Sequence, residues 1–406
     1  MLAATAFVLF MTPGLALFYG GMVRARNVLG MLMQNIFAMG LLGVLWAAIA
    51  FSLAFGNGGD GGFIGNFDYA WMKDVGPALS TQSFFADTLA LAIPFVLFAA
   101  YQMTFAIITP ALITGATADR LKFGSYALFI GVWLVLVYAP IAHMVFGGGW
   151  LAEQGALDFA GGAVVHMNAG AAALAVVLLI GRRKGYPETP MPPHNLPMTV
   201  LGTGILWFGW AGFNAGSALA ANGVAGQAIM NTFLAASAAM LGWLVVERLK
   251  DGHATTLGGA SGAVAGLVAI TPCAGFVGGM APVYIGLIAG AVCYLALGIK
   301  RAFGFDDSLD VIAVHLVGGL AGSLLLGLFA DSAINPAVAH EGVFLGGGGS
   351  LLADQALASV VTLAFSFVAS LIIAKVIDLT LGLRISEEDE LAGLDLSQHA
   401  EVAYAD

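Results

Sequence analysis

DFAGGAVVHMNAG, Asp158 to Gly170, leads without a break into the apolar run AAALAVVLLI. It places His166 eight residues beyond Asp158, in a segment otherwise fit only for lipid or a buried core. At a helical rise of about 1.5 Å per residue the ring lies roughly 12 Å deeper than Asp158, and a hydrocarbon core is about 30 Å thick. A charged side chain at that depth costs about 2.5 kcal/mol or more, so such a residue is expected to line a route or a protein interior. VHMNAG at Val165 to Gly170 is echoed by VHLVGG at Val314 to Gly319, which sets His315 in a second apolar run.

The surrounding composition gives these runs their setting. Of 406 residues, 60% are hydrophobic and only 9% charged, against about 25% charged in a soluble domain, so the chain reads as a polytopic membrane protein in a lipid bilayer. Its 56 glycines sit largely inside the apolar runs, where small residues let helices approach closely. NGGDGG (Asn57 to Gly62) and GGGG (Gly346 to Gly349) read as turns, because neither ends in the lysine and Ser/Thr of a phosphate-binding loop. Cys273 and Cys293 lie in or beside apolar runs and make neither a disulfide framework nor a zinc site. No metal or cofactor is expected. A net charge of −10 argues against nucleic acid, and the absence of HExxH or any other nucleophile–base motif argues against an enzyme.

Length and hydropathy predict eleven spans, near 1–22, 28–55, 84–114, 124–142, 160–181, 199–218, 225–247, 256–274, 279–299, 308–330 and 352–380. With this division, 13 of the 14 Lys and Arg fall on one side, leaving Lys73 on the other. A miscounted span would scatter them. Cations mark the cytoplasmic side, so the N-terminus is expected outside and the C-terminus inside the cell. His166 then enters from outside in span five and His315 from the cytoplasm in span ten. Two inverted five-helix repeats plus an eleventh helix follow, an arrangement that commonly puts the pathway at the repeat interface near the midplane. Met1 opens so directly into LAATAFVLF that no cleaved signal peptide is expected. Residues 1–381 form the membrane domain. The acidic segment 382–406 reads either as a solvated tail or as a regulatory arm docked on the cytoplasmic face.

Five of the seven histidines are assigned to loops or ends: His194 and His253 in the cytoplasm, His143 and His340 at the outer face, His399 in the tail. Taken singly, His166 and His315 could be buried neutral imidazoles bonding helix carbonyls. Their matching places in two halves favour a lined route. Two neutral imidazoles offer a donor and an acceptor in series, and an imidazolium is costly to bury, so the pair suits a small neutral solute or a relayed proton. Asp158 reads as an N-cap at least as readily as a substrate contact. The 43 aromatics show no spacing that selects a functional subset.

DFAGGAVVHMNAG, together with FYGGMVRARNVL (Phe18 to Leu29), PHNLPM (Pro193 to Met198), GFNAGSA (Gly212 to Ala218) and the DV…VH element (Asp310 to His315), resembles the ammonium transporter family. The match runs through all eleven spans and the tail, and is closer to the bacterial and archaeal channels than to the Rhesus proteins. The resemblance implies an inner-membrane homotrimer with one pore per subunit. It implies that His166 and His315 are the pore's twin histidines and that Phe105 and Phe213 are its gate. Phe105 and Ser217 match members of an outer recruitment site for ammonium, with Asp158 structural or assisting. It further implies conduction as NH₃ after deprotonation, with a separate proton relay, and a PII-type signalling protein as cytoplasmic partner. HMVFGGGW departs from the family's HMVWGGG. Phe146 stands where tryptophan is usual, a weaker cation–π partner, with Trp150 left open as a substitute. An ammonium sensor and a neutral NH₃ or CO₂ channel are the alternative readings.

Overall fold

In lipid, backbone groups must be satisfied within the chain, and the apolar runs accordingly become helices. The computed structural model describes residues 1–58, 62–82, 84–88 and 91–404, without the side chains of 87 and 88; the centre of NGGDGG, residues 59 to 61, lies outside the described residues. Among those, no strand occurs. Eleven apolar helices run in order: α1 Leu2–Met22, α2 Ala25–Phe55, α3 Phe95–Thr117, α4 Phe123–Glu153, α5 Gly162–Ile180, α6 Leu196–Gly216, α7 Gly223–Asp251, the shorter α8 Thr256–Ile270, α9 Ala281–Phe303, α10 Ile312–Phe329 and α11 Ser350–Thr380.

Two ends are misplaced by more than a few residues: the fourth span, expected to stop at 142, runs on to Glu153, and the third starts late. It was expected from 84, but α3 begins at Phe95, after Pro94 in an extended conformation (ψ 136°). Proline removes a backbone donor and disfavours helix in the residue before it. Phe84–Thr88 is a separate π-helical turn, and its Phe85 packs on Phe95 and Phe98 with ring centroids 4.8 and 5.3 Å apart. The apolar signal therefore came from an aromatic plug over the helix start.

Helix contact is set by glycine. Along α1 and α6, a Cβ on Gly202 would sit 2.2 Å from the Phe18 amide nitrogen, one on Gly209 2.2 Å from Met11, and one on Gly212 2.8 Å from Phe7. As one number rises the other falls, so α1 and α6 are antiparallel and nearly in backbone contact. The same holds for α5 and α10. Residues 162–167 of α5 lie against 318–329 of α10, while 168–180 lie against 312–317. First members and fifth members of the two five-helix halves thus pair head to tail, the relation an inverted repeat imposes.

The expected cation-rich face is knit by charge. Arg183 forks onto Asp306 through Nε at 2.8 Å and Nη2 at 2.9 Å, Arg120 donates to the Asp306 carbonyl, and Arg24 donates to Asp119 at 2.9 Å. These groups are buried or nearly so, and buried charges persist only when paired. Burial pushes the Asp306 carboxyl up, but the hydrogen bonds and charge of Arg183, joined by Arg120, outweigh it and hold the group below its ordinary range.

The acidic segment is docked on this face. It forms two short helices, α12 Glu387–Ala392 and α13 Leu394–His399. The Leu394 amide donates to Asn27 Oδ1 and the Gly30 amide donates to Asp395 Oδ1, both at 2.8 Å. Glu390 accepts from the Lys184 amide at 2.6 Å and pairs with Arg384. Between the two helices Gly393 has φ 103°, and a Cβ there would strike the Arg26 carbonyl at 2.6 Å. Only glycine fits.

Candidate functional site

Two capped helix starts hold the histidines. Asp158 Oδ1 accepts from the amides of Gly161 and Gly162, and Oδ2 from those of Ala163 and Val164, at 2.6 to 3.1 Å. Both oxygens are spent on the backbone, which gives the capping role a complete geometry. Burial raises the carboxyl above its ordinary range despite these four donors. In the other half Asp307 accepts from Val311 at 3.1 Å and Ile312 at 2.8 Å. Asp310, the first residue of the DV…VH element, pairs instead with Lys300 at 2.6 Å. Asp307 was missed, although one signal was available: it precedes His315 by the same eight residues that separate Asp158 from His166. Each histidine then falls in a π-helical turn, Gly162–Met167 and Ile312–Val317.

The antiparallel crossing brings His166 and His315 together. Their Nδ1 atoms are 3.2 Å apart and the rings lie 20° from parallel with centroids at 5.3 Å. Facing nitrogens at this distance share one proton, so neutral rings must take opposite tautomers. His166 Nε2 has no hydrogen-bond partner among the described residues. Trp210 stacks on His166, 5.4 Å away and 19° from parallel, and is itself held by Thr271 through its indole N–H at 2.9 Å. Trp210 was not foreseen; nothing in the spacing distinguishes it from the other aromatics.

Around the pair runs a narrow cavity of only about 10 Å³, walled by Met11, Leu15, Phe18, Leu112, Leu206, Phe213 and Val264 among others. Away from the cation-rich face a wider cavity, about 390 Å³ and open to solvent, is lined by Phe105, Phe146, Asp158 and Ser217, with Phe84, Phe98, Gln102, Phe159 and Phe276. Phe105 lines the outer cavity and Phe213 the inner one, and their rings meet at 4.3 Å. Ser217 donates to the Phe213 carbonyl at 2.9 Å and lies 3.3 Å from the Tyr101 hydroxyl. Phe146 lies in this wall, whereas Trp150 packs on Phe63 at 5.4 Å and is not among the lining side chains. His143, assigned to the outer face, is buried with Nδ1 3.0 Å from the Ala54 carbonyl. Among the described residues no three His, Cys, Asp or Glu side chains gather to hold a metal ion.

A solvent-open aromatic cavity, two phenylalanine rings in tilted contact and a buried imidazole pair within apolar walls mark the core of a helical membrane protein. The sequence model of the Ammonium Transporter Family matches residues 1–404. The ammonium transporter of Mycobacterium tuberculosis (strain ATCC 25618 / H37Rv) is 50% identical over 425 residues, covering 100% of this chain and 89% of that protein. Among solved structures, Candida albicans Mep2 aligns with a TM-score of 0.88 at 36% identity, covering 99% of this chain and 89% of that one. A structure described as Sensor Amt Protein aligns with a TM-score of 0.88 at 28% identity, covering 98% and 96%. The chain belongs to the ammonium transporter family; it is not an enzyme.

Proposed function

We propose that this protein conducts ammonium in two forms. NH₄⁺ is recruited in the outer cavity against Phe105, Phe146 and the Ser217 hydroxyl, and gives up its proton at the Phe105–Phe213 gate. It then passes the histidine pair as NH₃, with the proton relayed separately. The observation that carries this reading is the 3.2 Å contact of two imidazole nitrogens inside an apolar conduit. Hydrated K⁺ and Na⁺ find no replacement for their water shells there, whereas ammonium can leave its charge behind. Asp158 acts by holding the helix of His166. The cation-rich face lies in the cytoplasm of a multi-pass inner-membrane protein, the chain assembles as a homotrimer, and the segment 382–406 is a regulatory region for a PII-type partner.

Current from purified protein in liposomes on a solid-supported membrane tests the reading. Ammonium is expected to give a saturating current and potassium none. Ammonia flux without current would support a neutral gas channel instead. Neither flux nor current would favour a sensor, a reading to which the likeness to Sensor Amt Protein gives some weight.

A further inference from the structure

His166 owes its direction to a local departure from α-helix. The His166 amide donates to the Gly161 carbonyl five residues back at 3.0 Å. The Asn168 amide donates to the carbonyls of Ala163 and Val165, passing over that of Val164. The Asn168 side chain stands in for the missing donor, its Nδ2 reaching the Val164 carbonyl at 3.1 Å. It is the only amide side chain between Gly162 and Ile180, it is fully buried, and its Oδ1 has no hydrogen-bond partner among the described residues. Burying an amide with an idle oxygen is costly, so the donor bond is what this side chain contributes. The other half has no counterpart: Val317 stands two residues beyond His315 as Asn168 does beyond His166, and its side chain cannot donate.

We propose that Asn168 is a positioning residue for the histidine pair, its side-chain amide holding the π-helical turn open at Val164 and so setting the angle at which His166 meets His315. An α-helical turn in its place would rotate the residues on either side against each other by about 100°, one residue's share of a 3.6-residue turn. No slack absorbs such a change. A Cβ on Gly319 would sit 2.8 Å from the Gly162 carbonyl oxygen, and one on Gly170 2.6 Å from the Leu316 amide nitrogen, so α5 and α10 meet backbone to backbone on both sides of the rings. Asn168 is also tied to α11, where Ser366 donates to its backbone carbonyl at 2.8 Å. The turn is thus fixed from within by the amide and from outside by two helices, and only the amide is specific to the His166 half.

This inference rests on conduction past the histidine pair, and two readouts separate the two. Flux is read as the liposome current; ring geometry is read from the ¹⁵N resonances of His166 and His315 in histidine-labelled protein, assigned by their loss in His166→Ala and His315→Ala. Asn168→Val is expected to shift both resonances and to cut maximal ammonium current about tenfold, the scale of one hydrogen bond, with the half-saturating concentration within about twofold. Asn168→Thr has the same shape but a hydroxyl able to donate to the carbonyl four residues back, and should restore current and resonances to near wild type. Where the branched side chains prevent folding, Asn168→Ala and Asn168→Ser carry the same pair of expectations. Unchanged resonances in Asn168→Val, unchanged current in that variant while the wild type conducts, or a threonine variant as impaired as the valine one overturns the proposal. A wild type that carries no current removes the transport reading, and the resonance shift with its rescue by threonine then decides this one alone.

Discussion

His166 and His315 concentrate the chemistry in one short contact, and truncating either leaves the other ring's inward nitrogen without a partner. A buried polar group left unpaired costs about 1–3 kcal/mol. His166→Ala and His315→Ala are therefore each expected to cut ammonium current roughly tenfold or more, or to admit potassium; unaltered ammonium current and selectivity in both would remove the pathway. Phe146 offers the complementary gain. Trp150 packs on Phe63 outside the cavity wall and does not replace the missing indole, so Phe146→Trp should lower the half-saturating ammonium concentration by roughly twofold to fivefold. A measured increase would show that the cavity wall cannot take the larger ring. At this scale the sequence was unevenly legible. The histidines stood out because an ionisable group in an apolar run is rare. Asp307 and Trp210 did not, because a carboxylate in a polar loop and one indole among 43 aromatics acquire meaning only through the packed structure.

At the scale of the helix, small residues decide whether the two halves close. Gly202→Ala puts a methyl 2.2 Å from the backbone of Phe18, where no side chain can yield, and should cost about 1–3 kcal/mol by overpacking. Gly204→Ala, two positions along the same helix with nothing within 4 Å, should be neutral or stabilising by about 0.5–1 kcal/mol. Melting temperatures in detergent check the pair; equal losses would mean that helix propensity rather than contact between α1 and α6 governs the result. Helix number was legible from hydropathy because each crossing needs its own apolar run. The start of α3 was not, since the apolar residues 84 and 85 continue the same signal although their backbone has left the helix.

For the molecule as a whole, charge on the cation-rich face couples the loops to one another and to the C-terminal segment. Asp306 is held below its ordinary range by Arg183 and Arg120 against the upward push of burial. A carboxylate depressed in the folded state contributes stability that is present above its unfolded value, about 3.9, and lost as pH falls through the lower folded value. Wild-type melting temperature should thus fall more steeply below about pH 4 than that of Asp306→Asn, which should already be less stable at pH 7. Parallel pH profiles would show that the cluster adds nothing to stability. Removing residues 385–406 strips the contacts of Glu390, Leu394 and Asp395 and is expected to weaken capture of a PII-type protein by the solubilised protein; undiminished pull-down would mean the segment serves the fold alone. The clustering of 13 cations on one side foretold this face, and a docked arm was one of two readings of the tail, but the loop it meets was not legible because hydropathy carries no information about such partners. The hydrogen bonds of Leu394 to Asn27 and of Gly30 to Asp395 join positions 367 and 365 residues apart. During biosynthesis the loop around Asn27 therefore waits, inserted but unlatched, until nearly the whole chain has left the ribosome. Nascent chains arrested before Leu394 should leave the Gly30 amide open to deuterium, and release should close it.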